Sequence, residues 1–447
     1  MRLFFTWESP DAQPGGDGRR TGGRLSLPQA QSPGRARLQR FGEKLGNQPH
    51  LAAVRDGVIG SLPIILVGSA FVLLFAPPWP GLSRFLPAKD ALAAGTRACA
   101  GMVSLYVCGA CALSLARRRS VDIPASMTTA LAVFLVAQKP ALLVQGGFAL
   151  PLAGLGAGGL FPAFASAILA TETIGFFARR KWGIRLGGGA PEVIVRSFAA
   201  LLPTAILVTL VWSLVHVLGI DLAGGLANLF RPLVRGSDAL PALMLIVLID
   251  SSLYLVGVHP FSVLSAAKPL WLAALTENMT AAMAGQPIPH LATQEFFIWF
   301  TWQGGSGTTL ALAILLLRAR SQQLKLVGRA GFLPALFNVN EPLLFGVPVV
   351  MNGRLAVPFI AAPLTLVTLS WAAMRYGLVR PPFTEQVWTL PAPLGAFLST
   401  GGDLRAIALQ MTNLCVALAI WWPFVRRYDR ELLERESLAR GAATVAS

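Results

Sequence analysis

A carboxylate in an apolar setting is the first residue that suggests chemistry. Residues 337–348 read FNVNEPLLFGVP and place Glu341 between apolar stretches of a 447-residue chain that is 54% hydrophobic. An ionised carboxylate facing lipid at the bilayer centre costs about 2.5 kcal/mol or more, so such groups face a cavity or a partner. Pro342 disfavours a regular helix at Glu341, while Asn338 and Asn340 supply amides that both donate and accept hydrogen bonds. The cluster suits the hydroxyl groups of a sugar; the alternative is a capping cluster at a loop end on the membrane surface.

The other candidates also lie where apolar segments break. His259 precedes a proline at the end of a long apolar segment. A neutral imidazole can hold a hydroxyl or relay a proton, although a lone histidine at a helix end is usually structural. In FTWQGGSGTT (300–309), Gly304, Gly305 and Ser306 would let the backbone approach a ligand closely. This run is not a phosphate loop, because no GK[ST] arrangement follows it.

Two tryptophans and two cysteines lie near or within such segments. Trp302 could stack on the apolar face of a sugar, whereas Trp299 is predicted to belong to an interfacial belt. Cys108 and Cys111 have CxxC spacing on a helix that is apolar on all sides. This pattern predicts buried cysteines that pack as small apolar residues, not a redox or metal site. The sequence predicts no metal site and no cofactor.

Three further acids accompany apolar segments. Asp56 directly follows Arg55, which predicts an ion pair or a helix cap. Glu172 is predicted to pair with basic residues further along its helix. Asp250 precedes His259 in the same apolar segment and could face the same cavity. We rank these acids below Glu341 and His259.

The composition indicates a membrane protein with several spans. Charged residues make up only 13% of the chain, and the mean hydropathy is +0.60. Apolar runs near or above the ~20 residues that cross a bilayer as a helix occur at 58–77, 98–116, 121–138, 153–178, 196–219, 239–258, 295–317, 355–374 and 404–425. Irregular backbone at membrane depth survives only where protein buries it or a cavity solvates it. The broken segments 256–262, 300–309 and 337–348 therefore predict the position of a transport site.

The net charge of +16 is a topology signal rather than a sign of nucleic-acid binding. Basic clusters stand in short connections beside apolar segments, at 117–119, 178–185, 317–329 and 424–430. Such clusters hold loops on the cytoplasmic side, so both termini are expected there. No nucleic-acid partner is predicted.

The predicted organisation has five parts. The Gly-, Pro- and Arg-rich segment 1–48 is expected to be a disordered cytoplasmic tail. The stretch 221–238 carries apolar residues at helical spacing and is expected to be an amphipathic connector along the interface. It separates an N-terminal membrane domain, 49–220, from a C-terminal one, 239–428, and residues 429–447 form a second cytoplasmic tail.

Five motifs in order carry a family resemblance. FNVNEPLLFGVPVVMN is similar to FNINEP-x-x-FG-x-P-x-x-x-N, and PEVIVRSFAALLP to PxxVxxSFxxLxP. The first helix of the same family is similar to HLAAVRDGVIGSLPIILVGSAF. The segment YLVGVHP occupies the position of the family motif WFFGIHG, and WQGGSGTTLAL resembles the motif GGSGxTLxL. Over about 38–430, the chain resembles the membrane subunit IIC of sugar phosphotransferase systems (PTS), in the lactose/cellobiose/diacetylchitobiose branch.

The resemblance implies an architecture and a location. The fold would be an all-α, glucose-superfamily EIIC-like membrane protein with about ten transmembrane helices and two re-entrant hairpins. The protein would be a homodimer in the bacterial inner membrane, in contact with lipid. The N-terminal half would form the dimer, and the C-terminal half would move the sugar across.

The resemblance also implies a reaction. His259 and Glu341 would lie near the sugar hydroxyl that becomes phosphorylated, with Asn340, Gly304 and Gly305 in the same pocket. Glu341 would act as general base, and His259 would orient the hydroxyl or share its proton. The phosphoryl donor would be a phosphocysteine on a separate IIB protein, with IIA and the general phosphocarriers upstream. A β-linked disaccharide, such as cellobiose or N,N′-diacetylchitobiose, is the implied substrate.

The sequence also departs from the family pattern. Pro260 replaces the glycine that usually follows the histidine, and Tyr254 replaces a tryptophan. Two alternatives stay open. One is a sugar transporter or facilitator without phosphorylation, coupled to an ion through Glu341 or Asp250. The other is a membrane sensor or scaffold that binds a sugar without moving it.

Overall fold

The computed structural model describes residues 48–446, apart from 76, 78–84, 87, 140, 143–147, 185–190, 348 and 350–352. The predicted tail 1–48 therefore lies outside the described residues except for its last position. The described chain is almost entirely helical, which confirms the predicted all-α fold class. Two strands of two residues each, β1 (Ala141–Leu142) and β2 (Phe148–Ala149), pair antiparallel.

The first half of the chain contributes nine helices to the part that the structure describes. Their bounds are α1 Pro49–Gly60, α2 Leu62–Phe75, α3 Lys89–Cys99, α4 Val103–Arg119, α5 Ile123–Ala137, α6 Leu152–Leu155, α7 Leu160–Arg180, α8 Glu192–Trp212 and α9 Leu222–Ser237. Single turns of 3-10 helix at Ala100–Met102 and Ala157–Gly159 and a π-helical end at Ser213–Val217 extend them.

The second half is more interrupted. Its helices are α10 Leu240–Leu255, α11 Phe261–Leu264, α12 Lys268–Met283, α13 Gln294–Phe296, α14 Thr309–Leu317, α15 Gln322–Leu336, α16 Glu341–Gly346, α17 Gly353–Arg375, α18 Ala392–Ser399 and α19 Leu404–Ala446. A 3-10 turn at Ser265–Ala267 precedes α12, and a π-helical turn at Phe297–Thr301 follows α13. The three predicted breaks are present, because no helix continues through 256–260, 302–308 or 338–340.

Local sequence explains several helix ends. The side chains of Gln48, Asp122 and Ser321 accept hydrogen bonds from the first turns of α1, α5 and α15, as N-capping residues do. At the other end, α4 and α7 stop at Ser120 and Lys181 in left-handed backbone. Both follow arginines that suit the negative end of a helix dipole.

The number of helices that can cross a membrane is consistent with a polytopic protein. Among the described residues, five helices are long and apolar enough to span a bilayer, or up to seven if each of two bent pairs is one span. In one bent pair, α9 and α10 meet at 79°. The predicted amphipathic stretch 221–238 therefore forms a helix, α9, that lies nearly perpendicular to α10. The expected count of about ten helices and two re-entrant hairpins stays a prediction, as do the domain boundaries.

The core divides into clusters that follow the two halves, with one exception. Helices α1, α4, α5 and α7 enclose the first cluster, and α14, α16, α17 and α19 the second. Helix α12 comes late in the sequence, yet Leu272, Ala273 and Ala274 belong to the first cluster. A third cluster, with Trp299 and Phe300 near its centre, surrounds the break after α13.

Candidate functional site

The three broken segments meet around one cavity of about 430 Å³. It is lined by His259 and Pro260 from the first break, by Trp302, Gly305 and Ser306 from the second, and by Asn338, Asn340 and Glu341 from the third. Asp250, from the helix that precedes the first break, also lines it. Every predicted site residue except Gly304 therefore lines a common cavity. We call it the central cavity.

Asn338 and Asn340 fasten two of the segments together. The backbone N–H of Gly304 donates to Oδ1 of Asn338 across 3.0 Å, and Nδ2 of Asn340 donates to the carbonyl oxygen of Ser306 across 3.1 Å. Nδ2 of Asn338 also donates to the carbonyl oxygen of Trp388 at 2.8 Å. The two asparagines therefore satisfy irregular backbone that a helix would otherwise satisfy. Gly304 takes part in the site through its N–H.

Glycine is required at position 305. Its φ is +98°, and a Cβ there would lie 2.6 Å from Cγ of Asn340, closer than side-chain atoms come in folded proteins. Gly304 has φ of +77° and would carry its Cβ 2.4 Å from the backbone nitrogen of Leu310. The left-handed backbone favours glycine. The close approach of the two loops then fixes where Asn340 and the neighbouring Glu341 lie.

His259 is held by its neighbours in one tautomer. Its Nδ1 accepts a hydrogen bond from the backbone N–H of Phe261 at 3.2 Å, and its Nε2 lies 3.1 Å from the hydroxyl of Tyr254. In a neutral imidazole whose Nδ1 accepts, Nε2 carries the proton. Nε2 therefore donates to the Tyr254 hydroxyl, which is left to donate its own proton to another acceptor. Tyr254 also lines the central cavity, so the residue that departs from the family pattern contacts the predicted histidine.

The carboxylates at the cavity differ in exposure. Glu341 and His259 are exposed, whereas Asp250 is buried, with 3% of its surface exposed. Oδ2 of Asp250 is buried and has no hydrogen-bond partner among the described residues. Glu341 is thus accessible from the cavity, whereas Asp250 lies at its inner wall.

Sequence reasoning missed several lining residues. The cavity wall includes Phe261, Lys268, Trp271, Gln294 and Trp388. The Lys268 ammonium lies 4.9 Å from the centroid of the Phe261 ring, in a cation–π contact. A lysine in an apolar stretch was the available signal for Lys268. Trp388 carried none, since the segment around it has no apolar periodicity.

The remaining acids lie away from the cavity in the pairs that the sequence predicted. Arg55 contacts the Asp56 carboxylate at 3.0 Å, and Arg118 contacts it at 2.5 Å. Glu172 pairs with Arg179 on its own helix at 3.7 Å, and with Arg119. Both acids therefore serve to join helices of the N-terminal half.

Three further side chains test the sequence interpretation. Trp299 was expected in an interfacial belt, and this is wrong: its side chain is completely buried and packs against Gly395. The π-helical turn rotates it into the core, which the sequence does not reveal. Cys108 and Cys111 are buried among apolar neighbours, as expected.

A histidine outside the central cavity lies between two acids. His290 follows α12 and places Nδ1 2.7 Å from Asp238 and Nε2 2.7 Å from Glu277. Burial disfavours the charged imidazolium, but these two carboxylates outweigh it and raise the pKa of His290 to about 9. The ion pairs tie the end of α9 to α12. The sequence does not reveal these pairs, because Asp238 is distant from His290 along the chain.

Comparison with known proteins agrees with this geometry. The family model "Phosphotransferase system, EIIC" matches residues 55–363. A putative permease IIC component, YwbA, of Bacillus subtilis (strain 168) is 34% identical over 427 residues, which cover 88% of this chain and 94% of that protein. A PTS system cellobiose-specific EIIC component of Geobacillus stearothermophilus is 34% identical over 422 residues, covering 88% and 93%.

A solved structure has the same fold. The crystal structure of the transporter ChbC is described as the IIC component of the N,N′-diacetylchitobiose-specific phosphotransferase system. It superposes with a TM-score of 0.82 at 32% sequence identity, covering 90% of this chain and 99% of that one. The broken helices, the cavity between them and these similarities agree, and the chain belongs to the EIIC family of the phosphotransferase system.

Proposed function

We propose that this protein is the membrane IIC component of a sugar phosphotransferase system. It takes a β-linked disaccharide of the cellobiose or diacetylchitobiose type inward, and the sugar's primary hydroxyl is phosphorylated in the process. The observation that carries the proposal is the central cavity, in which three broken segments bring Glu341 and His259 together. The relatives named for cellobiose and N,N′-diacetylchitobiose support the class of sugar.

The polar groups of the cavity suit the activation of a hydroxyl. A primary hydroxyl is a poor nucleophile until a base shares its proton, and an accessible carboxylate such as Glu341 can be that base. His259 acts through its contact with Tyr254, whose hydroxyl is available to donate a hydrogen bond to a sugar oxygen. The oxygen of the acceptor then attacks the phosphorus, its proton passes to Glu341, and the cysteine thiolate of the donor leaves.

The apolar part of the cavity suits the sugar rings. Trp302, Trp271, Phe261 and Trp388 line it, and the C–H faces of sugars pack on aromatic rings. Catalysis then depends mainly on positioning, because the asparagine contacts fix the loops before the donor arrives. The donor is a phosphocysteine on a separate IIB protein, which must reach the side of the cavity where Glu341 is exposed.

A vesicle experiment tests the coupling. Inverted and right-side-out vesicles that contain the protein are given a labelled disaccharide, with and without phosphoenolpyruvate, the general phosphocarriers, IIA and IIB. We expect accumulation of sugar phosphate only with the complete phosphorelay. Accumulation of free sugar without it would instead support the transporter that works without phosphorylation.

The general-base role has its own test. Glu341→Gln keeps the shape of the side chain and removes the base, so phosphorylation should fall by at least about a hundredfold while sugar binding partly survives. Glu434→Gln, at an exposed position on α19, is the control and should have no effect. Full phosphorylation by Glu341→Gln would show that the role is wrong.

A further inference from the structure

A second large cavity lies where α14 ends beside α19. It has a volume of about 620 Å³ and is lined by four arginines, Arg318, Arg320, Arg426 and Arg430. Its apolar wall is formed by Ile314, Leu315, Leu418 and Trp422. None of these residues lines the central cavity. We call it the arginine cavity.

The two sides of the arginine cavity change character in the same direction. On α14 the apolar residues Ile314 and Leu315 precede Arg318, and on α19 Leu418 and Trp422 precede Arg426. Both helices thus pass from an apolar end to a basic end at the same level. This pattern is typical of the boundary between hydrocarbon and headgroups on the cytoplasmic side.

Trp422 marks the outer, membrane-facing side of this boundary. Its side chain is 57% exposed on a helix that is otherwise apolar at this level, as expected for a tryptophan at a lipid interface. The Arg426 guanidinium lies 5.9 Å from the centroid of the Trp422 ring. This contact leaves the N–H donors of the guanidinium, which lie in its own plane, available to an anion.

The positive charge of the arginine cavity is only partly neutralised by the side chains that line it. Asp429 is the single acid among its lining residues. Its Oδ1 and Oδ2 accept hydrogen bonds from the backbone N–H groups of Arg320 and Ser321, at 2.8–3.1 Å. Within the described part of the chain, none of the four arginines pairs with a carboxylate within 4.0 Å. Four guanidinium groups around one engaged carboxylate favour an anion from outside.

We propose that the arginine cavity binds the phosphate of an anionic phospholipid, with an acyl chain against Leu418 and Trp422. Arginine pairs with phosphate oxygens through two N–H groups at once, which gives this recognition both strength and geometry. The apolar wall distinguishes a lipid from free phosphate, because a soluble anion has nothing to bury there. A basic pocket between membrane helices is a known arrangement for anionic headgroups.

The phosphorylated IIB partner is the competing occupant of a basic surface. The apolar wall and the exposed Trp422 argue against it, since a water-soluble protein docks beyond the headgroups and not at the hydrocarbon boundary. The proposal is independent of the sugar and of the phosphorelay.

The test compares lipids that differ only in their headgroup. Purified protein in detergent is titrated with phosphatidylglycerol, with phosphatidylcholine of the same acyl chains, and with soluble glycerol phosphate, and bound lipid is counted by native mass spectrometry. Arg318→Gln/Arg426→Gln removes two cavity arginines. Arg427→Gln/Arg435→Gln removes the same charge from exposed positions on α19 outside the cavity.

The expected result is a preference of about tenfold for phosphatidylglycerol, worth about 1.4 kcal/mol, in the unaltered protein and in the control. The cavity variant should lose it. If that variant does not fold, Arg426→Gln alone is used, with Arg427→Gln as its control. The same preference in all three proteins would overturn the proposal. So would glycerol phosphate that competes as well as the lipid, or a cavity variant that loses only the binding of phosphorylated IIB.

Discussion

The hydroxyl of Tyr254 lies 3.1 Å from Nε2 of His259, five residues later in the chain. Because Nδ1 of the same ring accepts from the backbone N–H of Phe261, Nε2 is the donor in this pair. The Tyr254 hydroxyl therefore receives one hydrogen bond and can give another. The proposed histidine role thus reaches the sugar through a tyrosine that the family motif does not contain.

Tyr254→Phe keeps the ring and removes this hydroxyl. A net hydrogen bond is worth about 1 kcal/mol, so we expect the rate of sugar phosphorylation to fall about fivefold. The measurement is sugar phosphate formed by vesicles with the full phosphorelay. Tyr376→Phe, at a position that is 76% exposed, should match the unaltered protein. An unchanged rate in Tyr254→Phe would show that His259 does not act through Tyr254.

Gly305→Ala tests the contact between the two loops. The added Cβ would lie 2.6 Å from Cγ of Asn340, so Asn340 must leave its hydrogen bond to Ser306. We expect the variant to lose most of its sugar binding, measured by tryptophan fluorescence or calorimetry. Gly285→Ala is the matched control, because Gly285 also has positive φ, +66°, but has nothing within 4 Å of the added atom. Both changes carry the strain of left-handed backbone in a residue other than glycine, about 1–2 kcal/mol, and only the first should weaken the binding of sugar.

Trp388→Ala tests the aromatic wall. The Trp388 ring is 51% exposed and lines the central cavity, where it can pack against a sugar ring. Loss of about 1 kcal/mol of such contact should weaken disaccharide binding about fivefold, with a smaller effect on a monosaccharide that does not reach it. Trp182→Ala, which is 54% exposed but distant from this cavity, should bind normally. Equal affinities in the two variants would place the sugar elsewhere.

His290 should make stability depend on pH in the alkaline range. Its pKa is raised from 6.5 in the unfolded chain to about 9 in the folded protein. A raised folded pKa contributes stability that is complete below pH 6.5 and is lost as the pH rises through 9. The midpoint temperature of thermal unfolding should therefore decrease as the pH is raised from 6.5 to about 9. The decrease should be smaller in His290→Asn. His216→Asn, which removes a histidine that lies 3.3 Å from the carbonyl oxygen of Val136 and stacks on Trp212, should keep the decline. A decline of equal size in His290→Asn would contradict this origin.

Much of the site followed from the sequence, because broken apolar segments must enclose polar surface in a membrane. Glu341, His259 and Asn340 could be selected by that rule, and the structure places all three at one cavity. Trp388 could not, because its position depends on how distant helices pack, and the only signal for Lys268 was a lysine in an apolar stretch. Trp299 was misplaced for a similar reason: a π-helical turn changes which face of the segment is buried. The family motifs supplied the order of the segments, and the expected number of spans stays a prediction, since five to seven are long and apolar enough among the described residues.

Helix α12 has a mechanical consequence for transport. Its residues Leu272–Ala274 are packed into the N-terminal core, although Lys268 and Trp271 of the same helix line the central cavity. If the sugar-binding segments move relative to the N-terminal helices, α12 must keep its position against those helices. The displacement is then taken up by two hinges, one in the break after α10 and one just after α12, where Gly257 with φ of +76° and Gly285 with φ of +66° supply the freedom. Stiffening either hinge would slow the movement of sugar while leaving the binding of sugar intact.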